Sequence, residues 1–150
     1  MKRVVFAICF FAGAAMASMA QSAGAHALAG SGALETSRVF AYDAMTAKTA
    51  PNGAVGRNVF SGSLATGEAV AVHETMQPAG TVPNPAHRIE HSEVIVVEEG
   101  VLEFDHDGQS ERAATGSVIY VAYGTLHAVK NVGDGPARYV VIQIGGDTNK

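Results

Sequence analysis

At 150 residues the chain is long enough for one domain, and a composition of 47% hydrophobic and 7% aromatic residues with no Trp supports a core built more on Ala and Val than on large rings. Ten Lys and Arg against 14 Asp and Glu give a formal charge of −4, and no basic cluster stands in the body of the chain, which argues against nucleic acid as a partner. The single thiol, Cys9, falls in an N-terminal apolar run; a chain cleaved behind that run has no disulfide, no thiolate nucleophile and no thiolate metal ligand.

Lys2 and Arg3 precede an apolar run from Val4 to about Ala17, and small residues follow. This is the pattern of a secretory signal. Ser18-Met19-Ala20 places small residues at the −3 and −1 positions, so residues 1–20 are expected to be a signal peptide cleaved after Ala20, with Ala23-Gly24-Ala25 as the second choice. The run is shorter than the ~20 residues a spanning helix needs, so no stable membrane anchor is expected. Cys9 lies inside the run rather than behind it, which argues against a lipoprotein. The mature protein is expected to be periplasmic or secreted. Residues 21–34 are rich in Ala, Gly and Ser with one His26 and read as a disordered linker.

From Val39 onward the pattern is of short β-rich runs between turn residues, with no amphipathic helical period. Val59-Phe60 precedes a Ser61-Gly62 turn. Glu68 to Met76 alternates in part and ends at Pro78-Ala79-Gly80. Val94 to Val97 is a continuous apolar run of the buried-strand kind, and Val101 to Phe104 follows a Glu98-Glu99-Gly100 turn. Asp107-Gly108 is a two-residue hairpin signal. Ser117 to Val121, Ala128 to Lys130 and Tyr139 to Ile144 complete the set. Many short strands without helices between them predict an all-β sandwich or barrel over residues 35–150, and closing the sheet creates an interior that can hold one small ligand.

Two segments carry candidate chemistry. Gly80 to Gly100 holds His87, His91 and Glu93; Gly116 to Asn131 holds His127. Imidazole nitrogen and carboxylate oxygen together suit Fe, Mn, Ni, Cu or Zn as divalent ions. His87 and Glu93 would be ~20 Å apart on one extended strand, so the chain must turn between them, at Glu90-His91-Ser92.

At these segments the chain resembles the cupin superfamily, the small jelly-roll barrels. Gly116, Gly124, His127 and Asn131 fit the second family motif, with Ala122 where proline is usual. Glu93 is separated from Gly100 by six residues, as in the first motif, and Pro83 and Pro85 precede the histidines. The motif core spans residues 80–131. The family's paired histidines fall at positions 87 and 89, and position 89 is Ile. The resemblance implies a divalent transition-metal site of His87, Glu93 and His127, with His91 either replacing the ligand missing at Ile89, bonding to the other ligands, or lying on an exposed turn. Residues 87 and 89 of an alternating strand point the same way, so Ile89, like Met76, reads as apolar wall. His73 lies outside both motifs and reads as a satisfied β-face histidine, His106 as a solvated hairpin-tip residue, and Gly116, Gly124 and Asn131 as structural.

Two functions follow from the resemblance. One is a metal-dependent enzyme of oxygenase, isomerase, decarboxylase or lyase type acting on a small molecule. The other is a non-catalytic small-molecule-binding cupin with a degenerate metal site. Similar single-domain cupins commonly pair through their sheets, which makes a homodimer the expected assembly.

Overall fold

The computed structural model describes residues 32–146 and 148. The expected signal peptide and most of the expected linker lie outside the described residues. Among the described residues there is no α-helix; one 3-10 turn spans Tyr42–Ala44 and eleven strands follow the chain order: β1 Gly32–Ala33, β2 Ala47–Thr49, β3 Val55–Ser63, β4 Ala69–Gln77, β5 His87–Arg88, β6 Ser92–Glu99, β7 Val101–His106, β8 Gln109–Ala114, β9 Val118–Val121, β10 Leu126–Asn131 and β11 Ala137–Ile144.

They form two sheets. The larger runs β1-β3-β4-β11-β6-β9, with β2 also paired to β3, and the smaller runs β5-β10-β7-β8. All pairings are antiparallel except β1 with β3. The two sheets face each other around a core of Ile89, Ile95, Val97, Leu102, Phe104, Ala113, Ile119, Val121, Ala137, Tyr139 and Val141. This is the all-β jelly-roll arrangement that the strand pattern predicts.

Alternation fixes which side chains enter. On β6, Glu93, Ile95 and Val97 are buried while Val94 and Val96 are half-buried on the other face. Registers carry the same face across β11, where Val141 pairs with Ile95 and Gln143 with Glu93, and on to β4, where His73 pairs with Val141 and Thr75 with Tyr139. The opposite face of this sheet meets solvent at its β9 edge, where Val118 and Tyr120 are each 65% exposed.

Several elements differ from the sequence expectation. The run seen at Val59-Phe60 is the middle of a nine-residue strand, Val55–Ser63, which continues through the expected Ser61-Gly62 turn. Gln109–Ala114 is a strand with only Ala113 buried. It returns from the Asp107-Gly108 turn, where both residues have positive φ, 45° and 82°, as a type I′ hairpin requires. Met76 is not wall of the interior: it pairs with Arg138 on the outward face, between inward-facing Thr75 and Gln77. That face also buries Glu74, which lies against Arg57 at 3.5 Å and Arg138 at 3.4 Å, both guanidinium groups stacking on Tyr42 at 4.6 and 5.7 Å.

Asn131 closes the β10–β11 connection. Its Nδ2 donates to the carbonyls of Gln77 and Gly135 and its Oδ1 accepts from the Gly133 N–H, each at 2.9 Å.

Candidate metal and ligand site in the barrel

The interior between the sheets contains a cavity of about 240 Å³ whose polar lining includes His73, Gln77, His87, Glu93, His127 and Gln143. Each reaches it from a different strand or strand position. Glu93 enters from the start of β6, immediately after the bend at Glu90 and His91. The turn required between His87 and Glu93 is therefore present. His127 sits near the start of β10, opposite His87 of β5, and the two rings lie 4.8 Å apart between centroids.

The hydrogen bonds set the tautomers. The His127 Nδ1 lies 3.2 Å from the Thr125 carbonyl and the His87 Nδ1 lies 3.3 Å from that of Pro85. A carbonyl only accepts, so Nδ1 carries the proton in both rings and Nε2 is left as the acceptor. The same arrangement orients metal-ligating histidines. His127 is 3% exposed, and its Nε2 points toward Glu93 Oε2 at 3.8 Å.

The other carboxylate oxygen is engaged. Glu93 Oε1 accepts from His91 Nε2 at 2.9 Å and from Gln143 Nε2 at 3.0 Å. His91 is buried and faces inward from the bend, where it holds the Glu93 carboxylate. Ile89 is buried in the apolar core, with its carbonyl accepting from the Gly124 N–H at 3.0 Å. The bend itself is clamped by the end of β11: a Cβ at Gly146 would lie 1.6 Å from the Glu90 carbonyl oxygen.

These donors fit a divalent transition ion in kind. Two ligand atoms at ~2.0–2.2 Å from one ion stand at most ~4.4 Å apart, which the 3.8 Å between His127 Nε2 and Glu93 Oε2 satisfies. Among the described residues, no three His, Asp or Glu side chains stand close enough together to enclose an ion as they are.

Two histidines are placed differently from expectation. His73 lines the cavity. Burial lowers its pKa, the Glu93 charge opposes that shift and His91 adds to it. His106 is not a solvated tip: it is half-buried, stacked on Phe104 at 4.7 Å, and bonded to Glu111 at 2.8 Å. Gln77, Tyr139 and Gln143 were also missed. Gln77 Nε2 donates to Tyr139 Oη at 2.8 Å, and burial pushes the phenol up to about 12 against the lowering bonds from Gln77 and Thr75. The available signal was polar alternation at 73, 75 and 77, which marks one face of β4.

A family model described as "Cupin domain" matches residues 72–143, from β4 to the end of β11. A search of curated proteins found no match. Among solved structures, the chain is similar to KdgF from Halomonas sp., at 15% identity and a TM-score of 0.61 over 72% of this chain and 94% of that one. It is similar to an RmlC-like cupin from Shewanella frigidimarina, at 15% identity and a TM-score of 0.58 over 73% and 93%. It is also similar to the polyketide cyclase RemF from Streptomyces resistomycificus, at 18% identity and a TM-score of 0.57 over 73% and 79%. At these identities the structures speak to the fold alone, and the family model identifies residues 72–143 as a cupin domain.

Proposed function

We propose that the barrel binds one divalent transition-metal ion through His127, Glu93 and His87, and with it a small organic molecule. The observation that carries this reading is the pair of Nδ1-to-carbonyl bonds, which leave His127 Nε2 and His87 Nε2 as acceptors on a cavity shared with Glu93. His87 is exposed at the cavity mouth, where its ring turns without disturbing the core. In this reading His91 orients Glu93 rather than ligating, because its Nε2 already donates to Oε1. The ion, when bound, supplies a Lewis acid with open coordination positions. The chain's own residues position a ligand beside it: His127 and Glu93 fix one side, and the apolar residues Ile95 and Val141 exclude water from another.

The test is elemental analysis of the mature, untagged protein, followed by thermal melts with Fe(II), Mn(II), Ni(II) and Zn(II). A stoichiometric ion and a metal-dependent rise in melting temperature that disappears in His127→Ala are expected. No stoichiometric ion, even after refolding with these metals, sinks the proposal.

A second reading has its own support. Ile89 occupies a usual ligand position and packs into the core, and three ligands do not yet converge. A non-catalytic cupin that binds a small molecule without metal would behave so, and would be stabilised by organic ligands in metal-free buffer.

We further propose export to the periplasm or medium, supported by the residue 1–20 pattern; an intact mass beginning at Gln21 tests it. A homodimer through the outer face of the larger sheet is supported by exposed Val118 and Tyr120, and sedimentation at micromolar concentration tests that.

A further inference from the structure

The barrel cavity has a neighbour. A second cavity, of about 320 Å³, lies against β3 and β4 and is lined by Asn58, Phe60, Ser61, Val72 and Thr148 together with His73 and Gln143. His73 and Gln143 are the two residues that line both spaces. They stand side by side on adjacent strands, since Gln143 pairs with Ala71 and Val141 with His73.

The two side chains differ in what they have free. Gln143 donates through Nε2 to Glu93 Oε1, so one of its four hydrogen-bonding positions is occupied. No hydrogen bond joins the His73 ring to another of the described residues. The His73 ring nitrogens are not among the buried polar atoms left without a partner; they open onto the cavities the ring lines, where a bound molecule can reach them. Burial keeps this ring neutral near pH 7, so one nitrogen donates and the other accepts.

Charge narrows what would complete it. Among the described residues, no Lys or Arg lines either cavity, and no Asp or Glu lines the second one. A carboxylate or phosphate placed there would be desolvated without a counter-charge. The hydroxyls of Ser61 and Thr148, the Asn58 and Gln143 amides and the His73 ring offer neutral donors and acceptors.

We infer that the bound molecule of the barrel reaches past His73 and Gln143 into the second cavity, and that this part of it is uncharged and carries hydroxyl or carbonyl groups bonded by those two side chains. This rests on the proposal that the barrel binds a small molecule, and deepens it by assigning the ligand's chemical class and two contact residues. His73 and Gln143 are then specificity-determining residues on the wall opposite the smaller sheet, which carries His87 and His127.

The experiment is ligand-observed NMR on the purified mature protein, using neutral pentoses, hexoses and sugar alcohols beside the matching uronates and sugar phosphates. Neutral members are expected to bind, with affinity reduced at least tenfold in His73→Phe, in Gln143→Leu and in His127→Ala. Circular dichroism confirms that each variant is folded, and His73→Asn, which keeps a donor and an acceptor, is expected to retain more binding than His73→Phe. Binding only by charged members overturns the inference, as does absence of binding across the panel. Neutral binding weakened by His127→Ala but unchanged in both His73→Phe and Gln143→Leu also overturns it while leaving the barrel site standing. Neutral binding unaffected by all three variants overturns both. The metal reading is scored separately by metal content.

Discussion

Replacing Asn131 with Ala removes three hydrogen bonds at one position. Two carbonyls, of Gln77 and Gly135, lose the Nδ2 donor, and the Gly133 N–H loses the Oδ1 acceptor, all at 2.9 Å in the folded chain. Asn131 is buried, so the groups left behind are poorly reached by water. At about 1 kcal/mol net for each bond, the loss is about 3 kcal/mol. For a domain of this size 1 kcal/mol shifts the melting temperature by about 4 °C, so a fall of about 12 °C is expected. Asn131→Asp is a sharper probe. It keeps the acceptor for Gly133 but points carboxylate oxygen at two carbonyls, so at pH 7 it should be more destabilising than Ala. The assay is calorimetric melting paired with urea unfolding at 25 °C, requiring an unchanged m-value so that the difference is one of stability. A loss under about 1 kcal/mol for Ala, or an Asp variant milder than Ala at pH 7, refutes the claim that these bonds hold the β10–β11 connection.

The high-pH limb of stability should carry the signature of Tyr139. Its phenol is raised by burial to about 12, above an unfolded value of ~10. The stabilisation is therefore complete below pH ~10 and lost as pH rises toward ~12, by about 2–3 kcal/mol in total; Tyr139→Phe should flatten that limb in urea melts across pH 9 to 12, and an unchanged slope would count against the burial argument. Gly100→Ala should cost several kcal/mol or abolish folding, because the added Cβ would stand 2.5 Å from the Pro136 carbonyl oxygen at a φ of +82°; a soluble variant with an unshifted melt would contradict it. Glu74→Ala leaves Arg57 without its anion and Arg138 with Glu99, at 3.9 Å. Because the Arg138 side chain is 36% exposed, the loss should fall below the ~3–5 kcal/mol of a fully buried pair, and a stabilised variant would show that desolvation outweighs the pairing.

Much of the site was readable before any coordinates. The spacing of Glu93 to Gly100 and of Gly116, Gly124, His127 and Asn131 names the fold because those glycines take positive φ at turns where other residues are strained. Elements were missed where alternation carries no apolar signal. Gln109–Ala114 is an edge strand with one buried residue, so its sequence reads as loop, and His87–Arg88 is two exposed residues behind prolines. His73 was misread for a related reason. Period-two reasoning sends polar residues to solvent, but here the polar face of β4 lines an interior cavity and the outward face buries an ion pair at Glu74. His91 could not be placed from spacing at all. Whether a bend residue turns in or out depends on what packs against the bend: Glu93, two residues on, holds its ring, and Gly146, beyond the end of β11, lies against its backbone.

The contact between Gly146 and the Glu90 carbonyl makes the far end of β11 a remote handle on the site. No side chain fits between them, so the last turn of the described chain and the bend carrying His91 pack backbone to backbone. The same bend carries His91, whose ring is bonded to the Glu93 carboxylate. Any substitution at Gly146 is therefore expected to displace the bend that carries His91, although Gly146 itself does not line the barrel cavity.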